Sequence, residues 1–245
     1  MENLPLYISV IFGLSTAWAV GAWYWATNRS GRTLGLLLLW LLGQAAVAST
    51  GFYTVTDRVP PRFLLLVAPP LLTIMALFLT TRGRAYLDGL RPETLLLLHA
   101  VRIPVELVLY WLFLYKAVPQ LMTFEGRNWD IISGVSALVI YCRLKMRPSL
   151  NAKLLLLWNF GGLALLLNIV VNAVLSAPSP FQQFAFAQPN VAILYFPFVW
   201  LPGCVVPLVS LAHLAGIRQL LTKTGAPNKH VPSVPQAATD SGFSA

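Results

Sequence analysis

Long apolar runs separated by short polar breaks dominate the chain. Runs at 4–26, 33–53, 63–81, 94–117, 129–144, 152–177 and 191–221 each read as a helix, and most approach the roughly 20 residues needed to cross a hydrocarbon core. The first follows Met-Glu-Asn with no basic stretch, and no small-x-small cleavage site lies near Ala26-Thr-Asn-Arg29, so it is expected to be a retained helix. Trp18, Trp23, Tyr24 and Trp25 crowd its second half, as residues of an interfacial aromatic belt do. Asp57-Arg58-Val-Pro60-Pro61-Arg62 ends the second run, and Pro69-Pro70 inside the third predicts a kink or a broken helix. The fifth run is short for a crossing. Pro197, Pro202 and Pro207 predict bends along the seventh.

This pattern predicts an all-α, polytopic integral membrane protein with seven transmembrane helices in one bundle over residues 1–221. After Leu221 the composition turns small and polar, which predicts a disordered tail over 222–245. Composition agrees: 57% of the 245 residues are hydrophobic and 10% charged, against about 25% charged in soluble domains. The net charge of +9 would suit a nucleic-acid surface, but the Lys and Arg residues sit in short connections between apolar runs. That is the pattern of topology determinants and anionic-lipid contacts, so the lipid bilayer is the expected partner and nucleic acid is not. Cys142 and Cys204 lie in different runs, which leaves no disulfide framework or Cys-rich metal site.

Seven crossings place alternate connections on opposite sides. One side collects Arg29, Arg32, Arg82, Arg84, Arg91, Arg143, Lys145, Arg147, Lys153, Arg218, Lys223 and Lys229; the other has Arg58, Arg62, Lys116 and Arg127. Basic residues favour the cytoplasm, which predicts an outer N-terminus, a cytoplasmic C-terminus and a plasma membrane location of bacterial inner-membrane type.

Arg102 belongs to neither side. It lies in the fourth run with His99, Glu106 and Tyr110, and at 100° per residue these four fall within a sector of about 80°. Charged groups in hydrocarbon cost about 2.5–3.5 kcal/mol each on insertion scales, so this stripe is expected to face a protein interior or a water-filled cavity. Arg102 and Glu106 are four apart and can pair along one face, with Tyr110 as a hydrogen-bond donor. Asn168 and Asn172, sharing a face of the sixth run with Gly161 and Leu165, are candidate lining residues. The predicted ligand-binding set is therefore Arg102, Glu106, Tyr110, Asn168 and Asn172. Gln44 and Asn159 are further amides within runs, of the kind that hydrogen-bond between helices.

His99 and His213 are expected at similar depth, where two histidines on two helices can ligate a haem iron or another metal. No HExxH or Cx2C spacing accompanies them. Glu125-Gly-Arg127-Asn128-Trp-Asp130 gathers polar groups at the outer mouth, with Asp130 suited to capping the fifth helix; an outward-facing recognition patch is the alternative. Seven crossings with an outer N-terminus resemble the microbial rhodopsins, but the seventh run has no lysine for a retinal Schiff base. Three functions remain: transport or sensing of a small polar ligand or a proton, a membrane enzyme or redox protein using His99 and His213, and a structural or partner-binding subunit.

Overall fold

The computed structural model describes residues 4–147 and 151–225. Helices α1 (Leu6–Ala26), α2 (Gly31–Ser49), α3 (Leu64–Leu79) and α4 (Thr81–Asp88) come first. They are followed by α5 (Pro92–Leu114), α6 (Asp130–Met146), α7 (Ala152–Ser176) and α8 (Leu201–Thr222). Among the described residues there is no strand. The fold is all-helical. The predicted tail falls mostly outside the described residues.

Local chemistry sets the helix ends. Ser30 caps α2 by accepting the Thr33 N–H, and Asn151 caps α7 by accepting that of Lys153. At the end of α5 the Ala117 N–H reaches back to Leu112 O and the Lys116 N–H to Phe113 O, with Lys116 left-handed at φ 58°. This is a Schellman closure with lysine where glycine is usual. Thr80 both closes α3 and caps α4 through the Gly83 N–H at 3.1 Å. A β-carbon at position 83 would strike the Leu77 backbone, so glycine is required for the chain to turn so sharply there.

Helix α5 is central, packed against α1, α6 and α8, while α8 also contacts α2, α3, α4 and α7. Polarity runs inside out around it. Arg102 is 3% and Glu106 2% exposed, whereas Leu36 of α2 and Leu157 of α7 are each 69% exposed. This distribution is the inverse of that of a water-soluble fold and is compatible with a lipid surround.

Side-chain ties define the two ends of the bundle. At one, Arg91 donates through Nε to Asn28 Oδ1 (2.6 Å), Lys145 pairs with Glu93 (2.6 Å), and Arg218 grips both carboxylate oxygens of Asp88 (2.8 and 2.7 Å). Gln219 donates there to Leu87 O and Leu90 O. At the other end Gln188 donates to Val118 O (2.6 Å), Asn190 to Ala173 O, and the Arg127 guanidinium lies 5.7 Å from the Phe184 ring centroid. The first end is the basic one.

Two elements differ from their sequence reading. Helix α3 runs through Pro69-Pro70 as one element, and the break falls instead at Thr80, where α4 departs at 93°. The last helix does not begin at Val191: residues 191–199 form a 3₁₀ turn (Ala192–Leu194) and loop, and the helix opens with a π turn at Leu201–Val205. Pro197 therefore lies before the helix and Pro202 within its first turn, where a missing N–H costs little. Helix α6 has 17 residues, about 26 Å of rise. Five helices, α1, α2, α5, α7 and α8, are long and apolar enough to cross a membrane, and the bent pair α3–α4 makes a sixth if taken as one span.

Candidate functional site

Helix α5 opens with Pro92 at its first position and Glu93 in its first turn, both suited to a helix start. Pro104 has no N–H for the carbonyl of Ala100, and the helix tightens into a 3₁₀ turn at His99–Val101 just before Arg102. The sequence-predicted stripe does face inward: His99, Arg102 and Glu106 are all buried.

The pairing differs from expectation. No ion pair joins Arg102 to Glu106; Arg102 lies across from Asp130, Nε to Oδ2 at 3.6 Å, both side chains being nearly inaccessible. Its Nη2 donates to Gly162 O at 3.3 Å. Asp130 is not the cap of α6. It is the first helical residue, and its own N–H donates to Asn128 Oδ1 (3.2 Å). Asn128 is the organiser of this corner, because its Nδ2 donates to Glu106 Oε1 and to Met122 O (3.1 Å). Across Glu125–Asp130, Glu125, Arg127 and Trp129 are exposed while Asn128 and Asp130 are buried, so the segment serves the interior as well as the surface.

On the other side of Arg102 the histidines meet. The His99 and His213 rings stack with centroids 3.9 Å apart at 28°, and Trp158 lies 5.3 and 5.2 Å from them. Asn159 donates to Leu155 O and presents Oδ1 to His213 Nδ1 at 3.1 Å. That assigns the Nδ1–H tautomer to a neutral His213 and leaves a lone pair on Nε2. The sequence places these two histidines at similar depth, and in the structure they are in contact. Their geometry does not fit a shared metal, however: in face-to-face rings the in-plane lone pairs run side by side and do not converge on one ion at about 2.0–2.1 Å. Among the described residues no group of three or more His, Cys, Asp or Glu side chains could hold a metal either.

The remaining candidates lie apart. Tyr110 is half-buried and stacks on Phe124 (5.0 Å) without bonding to Glu106. Asn168 is exposed and donates to Arg127 O, while Asn172 donates back to Asn168. The inward face of α7 is Asn159, Gly162, Leu166, Ile169, Asn172 and Ser176, whereas Gly161 and Asn168 are exposed. Of the amides, Asn159 bonds between helices as expected, whereas Gln44 accepts from Tyr53 in the turn after its own helix.

Two cavities flank Arg102. One, about 300 Å³, is lined at the basic end by Glu93, His99, Trp158, Asn159 and Gln219. The other, about 100 Å³, is apolar except for Glu106, Asn128 and Asp130, and lies among α3, α5, α7 and α8. Neither is lined by Arg102. His99 and Glu106 stand three and four residues from it on opposite sides, about 4.5 and 6 Å of helical rise away. Among the described residues, buried polar side-chain atoms without a hydrogen-bond partner are His99 Nδ1, His213 Nε2, Arg102 Nε and Nη1, Asp130 Oδ1, Glu106 Oε2 and Asn190 Oδ1. All but the last belong to this one constellation.

A family described as a domain of unknown function, DUF8737, matches residues 59–221. The match covers α3 through nearly all of α8, and hence every residue of the buried constellation; the chain belongs to that family. No curated protein and no solved structure matches the chain.

Proposed function

We propose that this member of the family crosses a membrane seven times, with the basic end of the bundle in the cytoplasm, and carries a small polar solute or protons past Arg102. The clustering of orphaned polar atoms supports this reading. A purely structural buried ion pair is stable only when its remaining lone pairs and protons are satisfied, and incomplete pairing at Arg102, Asp130 and Glu106 is what a site left open for a ligand would have. The seven-span count takes α3 with α4 as one crossing and α6 as a short one. The twelve-to-four asymmetry of basic residues supports this orientation.

In this scheme the His99–His213 side faces the cytoplasmic cavity and the Glu106–Asp130 side the outer half. Arg102 separates them and can exchange hydrogen bonds with either. Asn128 holds one oxygen of Glu106 and frees the other. Proteoliposomes loaded with a pH-sensitive dye test the proposal: wild-type protein should carry protons or couple them to solute entry, and Glu106→Gln should insert normally and carry none. Ligand binding at Glu106 without flux would convert the reading to sensing.

A further inference from the structure

We infer that the smaller cavity is a binding site for a small monovalent organic cation of the alkylammonium type; this deepens the transport reading and rests on it. The argument starts from charge. One guanidinium, Arg102, faces two carboxyl groups, Glu106 and Asp130, and each of these side chains is almost wholly buried. Whichever acid Arg102 neutralises, the other requires a proton or a cation, because an isolated buried carboxylate is too costly.

The cavity sees the acids and not the base. Glu106, Asn128 and Asp130 make its polar end and Arg102 is absent from its lining. Glu106 Oε2 and Asp130 Oδ1 are both without partners, while Asn128 already spends its amide on Glu106 Oε1 and Met122 O. The polar end therefore offers acceptor oxygens, which favours a cation over an anion or a zwitterion. Leu66, Leu109, Ile169 and Val206 are among the apolar walls, and these suit an alkyl body better than a hydrated metal ion. Its volume of about 100 Å³ is some three times a water molecule's share of liquid volume, about 30 Å³. That admits a few carbons around one nitrogen and is too small for a lipid.

The test is calorimetric titration of full-length protein in nanodiscs with tetramethylammonium and propylammonium. The controls are tert-butanol as a neutral isostere, propionate, glycine betaine and the bulky tetrabutylammonium. Saturable one-to-one binding of the small cations alone is expected. Glu106→Gln should weaken it by about tenfold or more, the scale of a lost charge-assisted contact. Ala173→Leu, which narrows the cavity and leaves both acids in place, should weaken it as well, so that the inference does not depend on one variant folding. Equal binding of tert-butanol, preference for propionate or betaine, or no binding would overturn the inference. Proton flux in proteoliposomes without cation binding would overturn it and leave the transport reading standing; cation binding without flux would do the reverse.

Discussion

The imidazole of His213 rests against the bare α-carbon of Gly162. A β-carbon built on Gly162 would lie 2.5 Å from His213 Cε1 and 2.6 Å from Nε2. The same glycine's carbonyl accepts from Arg102, so its backbone serves both halves of the site. Gly162→Ala is expected to destabilise the protein by about 1–3 kcal/mol, the usual cost of overpacking. Gly161, one residue away, meets nothing within 4 Å, and Gly161→Ala should be neutral or stabilising by up to about 1 kcal/mol through helix propensity. Thermal unfolding of the two variants in detergent separates these outcomes.

Breaking the Arg102–Asp130 pair on one side leaves a buried charge without its partner. Asp130→Leu or Arg102→Met alone should each cost about 3–5 kcal/mol, while the two changes together should recover much of that loss. Denaturation of the set, read as a double-mutant cycle, measures the coupling. Additive losses would mean that the two groups do not interact.

Glu106→Gln keeps a side-chain oxygen that can accept from Asn128 and removes the carboxyl. Stability is expected to change by about 1 kcal/mol, the net worth of a typical hydrogen bond, with flux abolished. Asn128→Ala should be the more destabilising of the two, since it strips hydrogen bonds from Glu106, Met122 and Asp130 together. Expression, unfolding and flux assays on both variants check this order.

Orientation is open to chemical labelling. In a Cys142→Ala, Cys204→Ala background, Ser30→Cys and Arg147→Cys should resist a membrane-impermeant maleimide added to intact cells. Glu125→Cys and Gln183→Cys should react. Reaction of all four, or the reverse pattern, would overturn the proposed topology.

Much of the fold was legible because the bilayer imposes one strong rule, that an apolar run of sufficient length becomes a helix. The bounds of α1, α7 and α5 follow from it closely. The rule fails where backbone geometry decides. Consecutive prolines at 69–70 marked a kink, yet a threonine cap and a glycine at 80–83 make the turn. Three prolines after Val191 signalled a helix bent along its length, but Pro197 lies in loop before the helix, and Pro202 and Pro207 stand in the helix's opening turns. Within the site, His99, Arg102 and Glu106 were found because charge inside an apolar run is conspicuous. Asp130 and Asn128 were passed over because they stand at a run's edge, where an acid or an amide ordinarily caps a helix. Only the three-dimensional path of residues 118–129 brings them under Glu106. On α7 the residues that touch the constellation are Asn159 and Gly162, two turns and more before Asn172, which is buried on the same helix, while Asn168 is exposed.

Asn128 has one more consequence. Its amide joins a carboxyl on α5 to the first backbone N–H of α6, and it hangs from a surface segment whose adjacent residues, Arg127 and Trp129, are bathed by the exterior. Lifting that segment must unfasten Glu106 and the base of α6 in a single movement, so a force or a molecule acting on the outside of the protein is felt at its centre.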